Sequence, residues 1–294
     1  MTPQPGRRNF RRWTALVVMG LVLGAIAIVT IRALGVTAVV VDADPIGQPR
    51  DHFDFRWWNR ALGRYVKGDR VDYAVVLDEV PQLDRFWAAL GQYGPQSTPE
   101  RFTTSNQKLA FYINAYNALT LLGVVRHWPI DSVQDVHGWL EPRPGFGFFY
   151  GLRFELDGHR TNLYDLENEV IRGFRDARIH AAINCASISC PPLAPKAFEG
   201  RKLDAQLDQV THAFCSSPAH VRVDVPTRQI QLSAIFDWYR TDFEEHARRL
   251  GLPPTLLAFV QAFANDEVRE ALDKAQAEGY EVAFLEYNWS LNRL

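Results

Sequence analysis

The chain has 294 residues, a formal net charge of −2 and three cysteines. Near-neutral charge with scattered Lys and Arg gives no basic stripe to neutralise phosphates, which excludes nucleic acid as a partner. Sparse cysteine excludes a disulfide scaffold, and an aromatic content of 12 % argues for an ordinary packed core rather than disorder.

Trp13 to Ile31 carries no charged residue, and at 1.5 Å per residue it is long enough to cross a bilayer core of about 30 Å. The apolar core of a cleaved signal peptide is usually only ~7–15 residues, so an uncleaved signal anchor is favoured over cleavage near Ala38 or Ala43. Arg7, Arg8, Arg11 and Arg12 precede the span, whereas only Arg32 follows closely before Asp42 and Asp44. The positive-inside rule therefore places residues 1–12 in the cytoplasm and the bulk of the chain outside, as a single-pass protein of the plasma (inner) membrane in a cell envelope. Twin-arginine export through Arg7-Arg8 is the weaker reading, because Arg11 and Arg12 make a plain basic flank sufficient. Gly20 and Gly24 form a GxxxG pair that could join two copies, although glycines are common in membrane spans.

Residues 32–52 read as a linker carrying Pro45, Gly47 and Pro49, and residues 53–294 as one globular domain. Phe53 to Val66 has helical periodicity, broken at Gly68-Asp69. Val71-Asp72-Tyr73 is a brief extended piece, and Val75 to Leu90 is helical with an interruption at Pro81. Ser105 caps the longest helix of the domain, Asn106 to about His127, ended by Pro129. Phe146 to Leu156 and His159 to Asn162 read as strands around a turn at Asp157-Gly158. Leu163 to Phe174 is a short helix and Arg178 to Asn184 a continuous apolar strand. Leu203 to Cys215 is helical, with Cys215 a buried inert thiol. His220 to Val225 and Gln229 to Leu232 form a second hairpin around Pro226-Thr227-Arg228. Ser233 caps a helix to about Leu250, Leu256 to Ala275 is mostly helical, and Glu281 to Leu285 is a last strand. Helices mixed with antiparallel hairpins, without regular strand–helix–strand alternation, predict an α+β fold.

Three groups of residues can carry chemistry. Asn114 and Asn117 share one face of the long helix, where their amides can hold a substrate amide or tie down neighbouring backbone, the latter being the stronger reading. The run Arg178 to Pro192 contains His180, Asn184, Cys185 and Cys190, the parts of a cysteine hydrolase. If residues 178–185 are extended, His180 and Cys185 lie on opposite faces about 16 Å apart at ~3.3 Å per residue, and a dyad then needs a turn at Cys185 or a loop that folds Cys190 back. A Cys185–Cys190 bridge competes with thiol chemistry. No cofactor or metal is expected, since these cysteines lack a second ligand pair at a familiar spacing. The third group, Asp237 to Phe243 with Tyr287 to Asn292, interleaves aromatic and polar residues, including Tyr239 and Trp289, that can line a peptide or glycan groove or simply pack in the core.

In order along the chain, Val71-Asp72-Tyr73, Lys108 to Leu119 (KLAFYINAYNAL), Leu163 to Arg172 (LYDLENEVIR), Arg178 to Leu193 (RIHAAINCASISCPPL), Trp238-Tyr239 with Asp242-Phe243, and Tyr287 to Asn292 (YNWSLN) resemble the family catalogued as domain of unknown function 547. The resemblance covers about residues 55–294. It places His180, Asn184 and Cys185 in the family's central motif, with Ser in place of Cys190 in some members. Two positions depart from the pattern: Asn168 stands where His is usual, and Asn288 where Asp is usual. The family's name implies no established activity. The sequence thus predicts an envelope module that binds or scaffolds peptide, glycan or protein through Asn114, Asn117, Tyr239 and Trp289. The alternative is a thiol hydrolase or acyltransferase acting on amide bonds. There Cys185 is the nucleophile with Cys190 second choice, His180 the base, and Asn114, Asn117 and Asn184 orienters or oxyanion donors.

Overall fold

The computed structural model describes residues 36–141 and 143–294. The expected membrane span, its basic flank and the Gly20–Gly24 pair lie outside the described residues. Among the described residues, one helix, Ser105–Arg126, is long and apolar enough to cross a membrane, and 89 % of its apolar window is buried in the domain, as befits the central helix of a core.

The architecture is a mixture of helices and small sheets, α+β as predicted. β1 (Thr37–Ala38) runs parallel to β2 (Leu152–Leu156), which pairs antiparallel with β3 (His159–Thr161). The first part of the presumed linker is therefore a sheet edge, and Val39 just after it is buried in the core. Asp157 (φ 55°) and Gly158 (φ 77°) make the expected tight turn, because two left-handed residues match the twist of the flanking strands. Asp157 also accepts from the backbone N–H of Gln96 and Ser97 at 2.8 Å each, pinning the turn to the preceding loop. The second expected hairpin, β4 (Val221–Asp224) with β5 (Gln229–Leu232), is joined in parallel by β6 (Glu281–Phe284).

Among the described residues, two apolar clusters form the interior. The larger surrounds the central helix Ser105–Arg126, whose N-terminus is closed by a capping box between Thr104 and Gln107. The cap is one residue earlier than the sequence suggested, because Thr104 rather than Ser105 stays extended and offers its hydroxyl to the Gln107 N–H. The smaller cluster packs Phe214, Phe236, Phe243 and Phe259 among the C-terminal helices and contains fully buried Cys215.

The two meet at a short 3₁₀ helix, Ala177–Ala181. Ile179 faces the larger cluster while Ala177 and Ala181 face the smaller.

That 3₁₀ helix corrects the strand expected at residues 178–184. A short continuous apolar run suits a buried strand and a buried helical turn equally. Here Asp176 decides the matter by accepting from the Arg178 N–H at 3.0 Å, an N-cap that starts a turn. The start of the expected strand at Phe146 is also helical: Gly147–Gly151 forms a wide π-type turn, and the strand begins only at Leu152. Gly147 is packed so closely that an added Cβ would sit 2.2 Å from the Val136 carbonyl oxygen. The helix expected from Ser233 to Leu250 breaks at Tyr239 into Ala234–Trp238 and Arg240–Arg249, which turns the Tyr239 ring toward the junction of the two clusters.

Candidate active site

The loop after the 3₁₀ helix is built on Asn184. Its backbone N–H donates to Asn117 Oδ1 at 2.8 Å, its Nδ2 donates to Pro191 O at 2.8 Å, and its Oδ1 accepts from Ala186 N at 2.9 Å and Asn292 Nδ2 at 3.3 Å. Ala186 is left-handed at φ 62°, a costly conformation for a residue with a Cβ that turns the chain sharply just after Cys185. The C-terminal segment straps this turn down: Ile188 N donates to Ser290 O at 2.9 Å, and Asn292 N to Ala186 O at 2.9 Å.

The strap also delivers Tyr287 to Cys185. The Cys185 Sγ lies 3.0 Å from the Tyr287 hydroxyl and 3.1 Å from the Ser187 hydroxyl, which are 2.8 Å from each other. Burial alone would raise this thiol, but hydrogen bonds from Cys190, Ser187 and Tyr287 outweigh it and bring Cys185 down to about 7. Cys190 goes the other way, pushed up by burial and by the adjacent Cys185 sulfur. Its Sγ accepts from the Cys185 backbone N–H at 3.0 Å. All three cysteines are free thiols.

His180 projects from the 3₁₀ helix with its ring stacked on Tyr239, centroids 3.9 Å apart. Its Nε2 lies 2.9 Å from Asp242 Oδ2, and Arg172 grips the same carboxylate in bidentate fashion at 2.7 and 2.8 Å. Burial would raise Asp242, but the bonds from His180 and Arg172 prevail and hold it well below the usual carboxylate range. In the neutral imidazole, an ionised Asp242 keeps the ring proton on Nε2, which leaves the Nδ1 lone pair free. Nδ1 is buried and has no hydrogen-bond partner among the described residues.

Cys185, Cys190 and His180 line one cleft of about 670 Å³ at the junction of the two clusters. One wall is a stack of Phe146, Tyr150 and Tyr164, with Arg143 donating to the Tyr150 hydroxyl at 2.8 Å. The other is Trp238, Tyr287 and Trp289. Buried Glu167 lies on the floor and accepts from Tyr116 at 3.2 Å.

The structure thus brings together Cys185, Cys190, His180, Tyr239 and Trp289. The expected separation of Cys185 from His180 along a strand does not occur, because the 3₁₀ helix and the left-handed turn replace the extended chain. No hydrogen bond joins the two; the thiol faces Ser187 and Tyr287. Asn114, Asn117 and Asn184 are absent from the cleft lining. Asn114 exchanges two bonds with the Phe198 backbone at 2.8 and 3.0 Å, and Asn117 donates to Ala182 O at 3.0 Å. Their amides are committed to backbone and cannot serve as the oxyanion donors the sequence suggested.

Arg172 and Ser187 were not singled out from the sequence as site residues; Asp242 and Tyr287 stood in the third group as groove or core residues, without the roles at the imidazole and the thiol that the structure gives them. Neither departure from the family pattern reaches the thiol or the imidazole. Asn168 accepts from Arg172 Nη1 at 2.8 Å, and exposed Asn288 accepts from Ser290 N at 2.9 Å.

No curated protein and no solved structure matches the chain. Residues 99–215, a span that holds His180, Cys185 and Cys190 but ends before Asp242 and Tyr287, match the family model described as "Protein of unknown function, DUF547". In that segment, about two fifths of the chain, it is similar to the DUF547 family.

Proposed function

We propose that the domain is a thiol-dependent hydrolase or acyltransferase acting on amide bonds, with Cys185 as nucleophile, His180 as general base and acid, and Asp242 as the group that orients His180. The observation that carries this reading is a single one: an imidazole fixed by a carboxylate through Nε2 leaves Nδ1 unpartnered in the same cleft as a thiol brought down to about 7. Catalytic hydrogen bonds are often long or misaligned until substrate closes them, so the thiol's present contact with two hydroxyls is compatible with later transfer to His180.

In this scheme His180 Nδ1 takes the Cys185 thiol proton as the thiolate adds to the substrate carbonyl, the C–S bond forms and the carbonyl π pair moves to oxygen. Collapse expels the amine, which takes its proton from His180 Nδ1. Water or a second amine then attacks the thioester, giving its proton back to Nδ1 and releasing Cys185. The hydroxyls of Ser187 and Tyr287, beside the sulfur, are the donors placed to stabilise the thiolate and then the oxyanion. With the span at residues 13–31 holding the domain outside the membrane, the substrate is an amide of the cell envelope.

The aromatic walls favour a second reading, a binding module for peptide or glycan, since Trp238 is 49 % exposed at the cleft mouth. Alkylation separates the two. Iodoacetamide at pH 7, followed by peptide mapping of the full chain, should modify Cys185 faster than a free-thiol control. A rate no faster than the control removes the nucleophile and leaves the binding module.

A further inference from the structure

We infer that Cys185 and Cys190 are an oxidative modification site: a hydroperoxide converts Cys185 to a sulfenic acid, and Cys190 resolves it into a reversible disulfide that switches off the cleft. The inference rests on the reading of Cys185 as the reactive thiol and adds its regulation.

Geometry supports the pair. The Cys190 sulfur lies 3.0 Å from the Cys185 backbone nitrogen. With an N–Cα bond of about 1.46 Å, it is no more than about 4.5 Å from the Cys185 Cα, close to where a bridging sulfur sits relative to its partner residue. The Cys185 sulfur sits among the Ser187 hydroxyl, the Tyr287 hydroxyl and the Cys190 thiol, so rotation about its own Cα–Cβ bond is the main motion required. The intervening residues are already folded back, because Ile188 N and Ser189 N are tied to Ser290 O and Asn288 O at 2.9 and 3.2 Å.

The two sulfurs are also unequal. Cys185 is half-buried at the cleft, whereas Cys190 is buried, its sulfur 3.8 Å from Ile183 O and accepting from the Cys185 N–H. Both thiols line the cleft, but Cys185 is the more exposed, so an oxidant entering the cleft meets Cys185 first. The lowered thiol of Cys185 and the raised one of Cys190 fit that order.

The chemistry balances in two steps. The Cys185 thiolate attacks one peroxide oxygen; an S–O bond forms, the O–O bond breaks, and the alcohol or water departs with the peroxide proton. Sulfur is oxidised and the peroxide reduced. The sulfenate takes a proton from solvent. Cys190 then attacks the Cys185 sulfur, its own proton leaves with the departing oxygen as water, and the S–S bond closes. An external dithiol reverses it.

The test uses the detergent-solubilised full chain and hydrogen peroxide in slight excess, followed by alkylation and non-reducing peptide mapping. The expected product links Cys185 to Cys190 with the loss of two hydrogens. Iodoacetamide labelling of Cys185 is lost and returns fully with dithiothreitol, while fully buried Cys215 labels only after unfolding. In Cys190→Ser, the sulfenic acid should persist long enough for dimedone to trap it, then over-oxidise without recovery in dithiothreitol. The inference is overturned if peroxide takes wild-type Cys185 straight to sulfinic acid, or leaves both thiols intact. Should Cys185 alkylate rapidly yet never bridge, this inference fails and the catalytic reading stands. A bridge in a chain whose reduced form cleaves no amide removes the catalytic reading and leaves the peroxide-responsive pair supported.

Discussion

Asp242 meets His180 across 62 residues of sequence, Oδ2 to Nε2 at 2.9 Å, while Arg172 holds both oxygens of the same carboxylate. The carboxylate is thereby fixed before it fixes the imidazole, and Tyr239 stacked on the ring leaves His180 little freedom to turn. Asp242→Asn keeps the shape but can present an amide N–H to Nε2, which moves the imidazole proton to Nδ1 and removes the base. Deacylation of Cys185 after a burst with p-nitrophenyl acetate should slow by roughly 10²- to 10⁴-fold, the usual worth of general acid–base catalysis. An unchanged steady-state rate after the burst would show that Asp242 does not orient a base.

The Cys185 thiol has its own signature in pH. Its alkylation rate should rise to a plateau with a midpoint near 7, below the ordinary cysteine value of about 8.5. Tyr287→Phe and Ser187→Ala each remove a hydroxyl that favours the thiolate, so each midpoint should move upward. A midpoint moved from about 7 to about 8 lowers the thiolate fraction at pH 7 about fivefold. Midpoints that stay in place would assign the low value to something other than these hydroxyls.

What the sequence revealed and what it hid have one physical origin. The Asp157-Gly158 turn and the capped central helix were legible because local backbone preferences specify them. His180 and Cys185 were legible as residue types, but their sharing one cleft was not. It depends on Asp176 starting a 3₁₀ turn and on Ala186 accepting a left-handed conformation, neither of which leaves a periodic trace. Asp242 and Tyr287 reach the site from 62 and 102 residues away, and partners that distant imprint no spacing. The aspect of Asn114 and Asn117 that the sequence left open, ligand or backbone, was settled by what faces them: the Phe198 and Ala182–Asn184 backbones.

Those two amides give opposed expectations for function. Asn117→Ala leaves the Ala182 carbonyl and the Asn184 N–H unpaired and should cost about 1–3 kcal/mol, read as a lower urea midpoint. It should also slow Cys185 labelling, because the loop that carries Cys185 hangs on that bond. Asn114→Ala should cost a similar amount without changing Cys185 labelling, since it holds only the Phe198 segment. Equal labelling in both variants would detach the Cys185 loop from the central helix.

Acid stability isolates one residue outside the cleft. His220 packs its ring on Phe214, its Nδ1 has no partner among the described residues, and burial lowers it to about 4. Its unfolded value is about 6.5, so between these limits the unfolded chain binds the extra proton and unfolding is favoured as pH falls. Above about 6.5 the residue has no effect; by pH 4 the loss approaches about 3 kcal/mol, at 1.36 kcal/mol for each pH unit between the two values. His220→Phe keeps an aromatic ring against Phe214 and removes the titration. Asp176 and Asp242 lose their ion pairs with acid in both chains, so their share cancels in the difference. Urea midpoints measured from pH 7.5 to pH 4.5 should therefore converge or cross in favour of the variant as pH drops. Curves that stay parallel would mean that His220 binds its proton as readily in the folded protein as in the unfolded chain.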